Sequence, residues 1–174
     1  MKPIRQELLK TINLDLGCGS NKQLGFLGLD KKYFDSVDIV HDIEDTPWPI
    51  DENSVAILLA THILEHIDPR KFLDVMDEAW RTLIPDGSFM ISVPHSSNLY
   101  AYQDPTHMRP GFVESSFYYF DYRNPLWHIY KTKPFEILSC VWDSFANIEV
   151  RLRAIKKGSK DITPKILKNY IGEK

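Results

Sequence analysis

Between Val55 and Val93 the sequence changes its hydrophobic period in an order that admits few architectures. Val55–Ala60 is short and continuously apolar, which suits a strand buried on both faces. Pro69–Leu83 then sets Phe72, Leu73, Met76, Ala79, Trp80 and Leu83 at helical spacing, with Asp74, Asp77, Glu78 and Arg81 on the other side. Asp68 suits the N-cap of this helix and Pro69 its first position. Pro85-Asp86-Gly87 supplies a turn, and Phe89–Val93 is a second short apolar run. Strand, helix and strand in this order predict a βαβ unit with parallel strands.

The same pattern extends outward. Ile12–Leu16, Phe26–Leu29 and Val37–Val40 read as further short strands, each followed by turn or polar residues. Near the other end, Glu136–Trp142 and Ile148–Ile155 flank Asp143–Asn147 and read as an antiparallel hairpin at the sheet edge. The fold class is therefore α/β. A length of 174 residues suits one domain, taken as 1–174. Residues 94–134 form an aromatic-rich segment within it, expected to cover the substrate, and 156–174 a lysine-bearing tail that suits a solvated face. In that tail Thr163-Pro164 can start a short helix with Ile166, Leu167, Tyr170 and Ile171 on one face.

Charge and composition narrow the function classes. A net charge of −3 and a pI near 6.1 argue against a domain built on phosphate contacts, so no nucleic-acid partner is expected. No apolar run reaches the length of a membrane span, and "MKPIRQELLK" lacks the apolar segment of a signal peptide. Cys18 and Cys140 form no CxxC pair and suggest no disulfide framework. A cytoplasmic protein is the expectation.

The chemistry concentrates in "INLDLGCGSN", Ile12–Asn21, where a buried strand runs into Gly17-Cys18-Gly19. In an open α/β sheet the carboxyl ends of the strands are where ligands sit. Glycines there permit positive φ and let a ligand lie on the backbone. Asp15 places a carboxylate at this tip, suited to a cationic amino group. Asp30, closing the second strand in "FLGLDKK", can accept two ribose hydroxyls. Asp42 follows the third strand in "DIVHDIE", where its carboxylate and the Ile43 amide can read an adenine edge. Three acids at successive strand ends suit a nucleoside with a cationic amino-acid tail better than a pyrophosphate.

These residues resemble the class I S-adenosylmethionine-dependent methyltransferases, in a small single-domain variant. The resemblance is carried by Asp15-Leu16-Gly17-Cys18-Gly19, Asp30, Asp42-Ile43, "DENSVAILLATHILEHI" and "EAWRTLIPDGSFMISVP", and spans roughly residues 11 to 120. It implies a Rossmann-like, mostly parallel seven-stranded sheet with an antiparallel edge strand. It also implies S-adenosyl-L-methionine as cofactor, bound by Asp15, Gly17, Cys18, Gly19, Asp30, Asp42, Ile43 and Thr61. The sequence departs from the family at Ser20-Asn21, where a third glycine often stands. Only Ser20–Gly25 separates the glycine turn from the second strand, so the first crossover helix must be shortened.

"HILEH", His62–His66, matches the H-x-x-E-H pattern of zinc peptidases. That reading needs both histidines on one face of a continuous helix, yet the motif follows a strand and Asp68-Pro69 restarts a helix just after it. In a second reading Glu65 and His66 are hydrogen-bonding partners that shape the loop. In a third, implied by the resemblance, Thr61 and His62 at the strand tip lie beside the cofactor's methionine moiety and the reacting methyl.

On the acceptor side, "VPHSSNLYAYQDPTHMRPGF" gathers His95, Asp104, His107 and Arg109 among aromatics. They read as substrate-side groups including a base, as polar groups shaping a turn around Pro105, or as a His95/Asp104/His107 metal set. The leading expectation is an enzyme that methylates a small molecule, with His62, His107 and His95 as candidates for the chemistry and no resident metal. The reading leaves room for a homodimer. A macromolecular acceptor, RNA or protein, and a catalytically silent cofactor-binding or assembly module are the alternatives. The acceptor itself is beyond the sequence, because fold does not fix it.

Overall fold

A computed structural model describes residues 11–109 and 111–160. The tail helix expected from Thr163 lies outside the described residues. Seven strands form one sheet: β1 (Ile12–Leu16), β2 (Leu27–Asp30), β3 (Ile39–Val40), β4 (Val55–Thr61), β5 (Leu83–Pro94), β6 (Phe135–Trp142) and β7 (Asn147–Ala154). Their order is β3-β2-β1-β4-β5-β7-β6. The first five pair in parallel, and β7 runs antiparallel to both β5 and β6. The mostly parallel sheet with a terminal antiparallel hairpin is thus observed.

Among the described residues the helical complement is small. α1 (Phe72–Thr82) connects β4 to β5, while α2 (Tyr100–Gln103) and α3 (Trp127–Tyr130) are single turns. Phe72, Val75, Met76 and Ala79 of α1 are buried. They share one core cluster with Leu14, Leu16, Leu58, Ala60, Phe89, Ile91, Val150 and Leu152 of the sheet. The first crossover carries no helix: Asn21 N–H bonds the Cys18 carbonyl and Phe26 N–H the Gln23 carbonyl, so the chain crosses on turns alone. The opposite face of the sheet is more open, with Met90 42% exposed beside its cross-strand partner Arg151.

Three expected boundaries shift for local reasons. α1 begins at Phe72 rather than Pro69, because Asp68 closes a turn instead of capping the helix. Its carboxylate accepts the Arg70 N–H at 2.9 Å and its carbonyl the Lys71 N–H at 2.8 Å. β5 starts at Leu83, absorbing Pro85-Asp86-Gly87 as an irregularity in which Asp86 adopts φ 63°. β3 shrinks to two residues, since Asp38 turns its carboxylate to the Gly28 N–H at 2.7 Å and to Lys22 at 2.5 Å.

The aromatic segment divides in two. Phe112, Phe117, Phe120 and Trp127 are buried, and Phe72 packs against Phe112 and Phe120 with centroids 5.8 and 5.9 Å away. Tyr100, Tyr102 and Tyr130 remain exposed. The four buried rings of the expected substrate cover are therefore core, and among the described residues they add apolar area to that of α1.

Lys156, directly after β7, ties the distal end together. It is 4% exposed and donates to Asn53 Oδ1 at 2.7 Å, the Arg81 carbonyl at 3.0 Å and the Leu83 carbonyl at 2.6 Å. Its ammonium lies 4.2 Å from the Trp80 ring centroid. Burial pushes its pKa down from 10.5 to about 8. Below that value both folded and unfolded chains are protonated, and the cost of burying the charge is fully present. Between the two values the unfolded chain binds a proton that the folded chain lacks, so stability rises with pH. Urea denaturation from pH 7.5 to 10.5 is expected to show wild type gaining stability relative to Lys156→Met across that window. A constant difference would mean that the lysine is not depressed.

Candidate active site

Parallel pairing of β1 with β4 aligns Leu16 with Ala60, so the turn after β1 and the loop after β4 emerge side by side. Gly17 and Gly19 take φ values of 62° and 52°, which L side chains rarely adopt. Their surroundings differ. A Cβ on Gly17 would fall 2.4 Å from Cγ1 of Ile63 and 2.9 Å from its Cβ, whereas one on Gly19 would meet nothing within 4 Å. Gly17 thus makes room for the middle of "HILEH", and Gly19 alone presents open main chain to a ligand.

The acids are disposed around this turn. Asp30 accepts the Gly19 N–H through Oδ2 at 2.9 Å and the Lys32 N–H through Oδ1 at 2.8 Å. Asp15, 5% exposed, accepts the Gln23 N–H at 2.9 Å, and burial raises its pKa. Burial, with Asp15 and Asp30 nearby, pushes the Cys18 thiol up to about 11, which keeps it neutral. Asp42 follows β3 and accepts the Glu44 N–H at 3.0 Å. Ile43 is buried, its carbonyl taking the Trp48 indole N–H at 2.9 Å. Thr61 ends β4 and is exposed.

A cavity of about 550 Å³ opens beyond the β4 tip, lined by His62, Glu65, His66, Pro94, Tyr100, Gln103, Asp104, His107, Phe145 and Asn147. His62 sits at φ 52°, held by its N–H to the Ser92 carbonyl at 2.9 Å. Its Nδ1 lies 3.2 Å from Glu65 Oε1, and this hydrogen bond raises the imidazole pKa. Only Leu64–His66 form a single 3-10 turn, so His62 and His66 share no helix face and the peptidase geometry is not formed. The expected Glu65–His66 pair is also corrected: Glu65 bonds His62, while His66 Nδ1 bonds Thr106 Oγ1 at 3.0 Å. The left-handed turn at His62 swings that ring back over Glu65.

His107 joins His62 in the cavity, its Nδ1 held by the Ala101 carbonyl at 2.9 Å. His95 does not line it. Its Nδ1 bonds Ser97 Oγ at 2.7 Å, and its ring lies on Trp142 with centroids 3.9 Å apart. A metal set of His95, Asp104 and His107 is therefore not assembled. Arg109 is likewise structural, its guanidinium 4.9 and 4.4 Å from the Phe72 and Phe112 ring centroids and its backbone N–H bonded to the Glu65 carbonyl at 3.0 Å. Sequence reading missed Gln103, Phe145 and Asn147. The last two reach the cavity from the β6–β7 turn, far away in the chain, and no local pattern marks them.

No protein-family model and no curated protein matches the sequence. Solved structures do match. A SAM-dependent methyltransferase from Archaeoglobus fulgidus superposes with a TM-score of 0.57 at 15% identity, covering 85% of this chain and 88% of its own. One from Aquifex aeolicus gives 0.57 at 15% identity, covering 84% and 85%. The 1,6-didemethyltoxoflavin-N1-methyltransferase of Burkholderia thailandensis, with its bound substrate and S-adenosylhomocysteine, gives 0.58 at 14% identity, covering 82% and 70%. This chain has the Rossmann-like class I methyltransferase fold. On that fold the glycine turn, Asp30 and the cavity all lie toward the carboxyl ends of the parallel strands, the edge at which open α/β sheets take ligands.

The two glycines should respond differently to alanine. Gly19→Ala is expected to cost about 1–2 kcal/mol, the strain of its positive φ alone. Gly17→Ala adds overpacking of about 1–3 kcal/mol against Ile63. In a double-mutant cycle read by urea titration, Gly17→Ala should cost less in the Ile63→Ala background than in wild type. Equal costs at both glycines would show that Ile63 is not seated there.

Proposed function

We propose that this protein transfers a methyl group from S-adenosyl-L-methionine to a small-molecule acceptor held in the cavity beside His62. The observation that carries the reading is the junction of two features. A turn of open main chain at Gly19 is bonded to Asp30, and through Ile63 on Gly17 it abuts the loop that sends His62 and Glu65 into the cavity.

The residues present fit the cofactor. Each Asp30 oxygen has one backbone donor and retains a lone pair, leaving two acceptor positions for ribose hydroxyls. Gly19 leaves space against its backbone, and Asp15 gives the buried negative charge suited to the methionine amino group. Asp42 and the Ile43 amide stand at the next strand tip for adenine, with Thr61 on the methionine side. The cofactor, when bound, supplies an already activated methyl, so the protein's task is to align the acceptor and exclude water. His62, backed by Glu65, is placed to take a proton from the acceptor, and His107 to contact it. His95, packed on Trp142, supports the cavity wall next to Pro94. The cavity volume falls in the range of small-molecule sites. A silent assembly module needs no such opening.

Calorimetry and thermal shift with S-adenosylhomocysteine, NAD and no ligand test this. Only S-adenosylhomocysteine should raise the melting temperature, as a native-state ligand must. Asp30→Ala should weaken its binding at least about tenfold, which is about 1.4 kcal/mol. Asp30→Asn keeps one acceptor, for the Gly19 N–H, and the melting temperature of each variant without ligand reports loss of the turn separately from loss of binding. No response to S-adenosylhomocysteine would refute the proposal.

A further inference from the structure

Within the cavity, Glu65 poses an unresolved electrostatic problem. It is 1% exposed, and its Oε2 is buried without a hydrogen-bond partner among the described residues. Its other oxygen has only the 3.2 Å contact with His62. A carboxylate taken out of water with half its acceptor capacity unmet is disfavoured unless a positive charge or further donors compensate. Two imidazoles flank it. One donor atom each from Glu65, His66 and His107 lie within 4.8 Å of one another.

The hydrogen bonds around the two rings set their tautomers. Asp104 Oδ1 takes the Thr106 hydroxyl proton at 2.7 Å. That hydroxyl, its proton committed, must accept from His66 Nδ1 at 3.0 Å. His107 Nδ1 faces the Ala101 carbonyl at 2.9 Å and must donate as well. In their neutral forms both rings therefore carry their lone pair on Nε2. Histidines whose Nδ1–H is anchored to a carbonyl or a carboxylate-backed group are the usual form of metal-ligating imidazoles, because the outer bond sets ring orientation and basicity.

We propose that Glu65, His66 and His107 form a binding site for a divalent first-row transition-metal ion, whose open coordination positions face the cavity and take an oxygen of the acceptor. Sequence reading weighed His62 with His66, and His95 with Asp104 and His107, and expected no resident metal in either set. The structure instead makes Asp104 an outer support and brings in the buried Glu65. Two imidazoles and one carboxylate favour Zn²⁺, Co²⁺, Fe²⁺ or Mn²⁺ over the oxygen-seeking Mg²⁺ and Ca²⁺. Ligands about 2.1 Å from an ion stand roughly 3.3 Å apart, so binding draws the three side chains inward.

The assignment of the open positions rests on the methyltransferase reading; the metal site does not. Given that reading, the ion selects acceptors with an oxygen donor and promotes loss of the hydroxyl proton to His62. That oxygen then forms the new O–CH₃ bond as the S–CH₃ bonding pair returns to sulfur, leaving the thioether.

The test uses the full chain after EDTA treatment and dialysis, titrated with Zn²⁺ by calorimetry and with Co²⁺ by absorption. One ion per chain at micromolar affinity is expected, with the visible d–d bands of Co²⁺ on nitrogen ligands. Catechol, a neutral vicinal diol, should perturb those bands. His66→Ala and His107→Ala should each weaken binding at least tenfold, and both keep the buried carboxylate if Glu65→Gln fails to fold. Absence of a stoichiometric ion, or unchanged affinity in both histidine variants, overturns the site. Bands that ignore catechol overturn the oxygen-acceptor assignment. S-adenosylhomocysteine binding, measured on the same samples, fails or survives separately and so judges the cofactor reading alone.

Discussion

Ile63 can rest on the turn after β1 only because Gly17 has no side chain, and most of the site's geometry depends on that contact. Leu16 and Ala60 are paired in adjacent parallel strands, so the two loops would meet at the carboxyl edge in any case. The bare α-carbon lets them meet closely. With Ile63 seated, the chain turns left-handed at His62 and right-handed again into the Leu64–His66 turn. That reversal sends Glu65 inward and leaves the two histidines on different sides of it. Glycine here serves packing first, and it indirectly builds the cavity wall.

Charge is placed differently at the two ends of the sheet. The distal end of the sheet is closed by Lys156, whose three hydrogens match three acceptors, and by Arg81, which joins Glu78 to the Ile50 carbonyl at 2.7 Å. These are buried or half-buried ions with their donors and acceptors nearly all matched, the condition under which such groups are tolerated. At the carboxyl edge the balance is reversed. Asp15 has one hydrogen bond and a raised pKa, and Glu65 has an oxygen with none. Unmet acceptor capacity at Asp15 and Glu65 therefore stands at the edge of the sheet where the cavity lies.

The aromatic segment contributes its own share of the cover on the sheet. Phe112 and Phe117 stack with centroids 5.6 Å apart, and Arg109 lies over Phe112. The backbone of the same arginine ties to Glu65, so the core cluster and the cavity wall are mechanically continuous. From sequence, Arg109 among aromatics reads as readily as a substrate contact; only the packing shows it to be a clamp.

Much was legible in the chain itself, because it depends on near neighbours. Short apolar runs, the amphipathic period of α1, the glycine turn and the acids at strand ends are local patterns, and the parallel sheet with its terminal hairpin followed from them. Helix starts and strand lengths were less secure, since Asp68 and Asp38 each chose a competing hydrogen bond. The site was decided by contacts distant in sequence: Glu65 and His66 beside His107, Asn147 arriving from the hairpin, and His95 drawn away onto Trp142. The sequence determines which residues can stand at the edge of the sheet, because side-chain period and turn chemistry are properties of adjacent residues. Which of them face one another is set by strand order and by the fit of one side chain into one gap, and those exist only in the folded molecule.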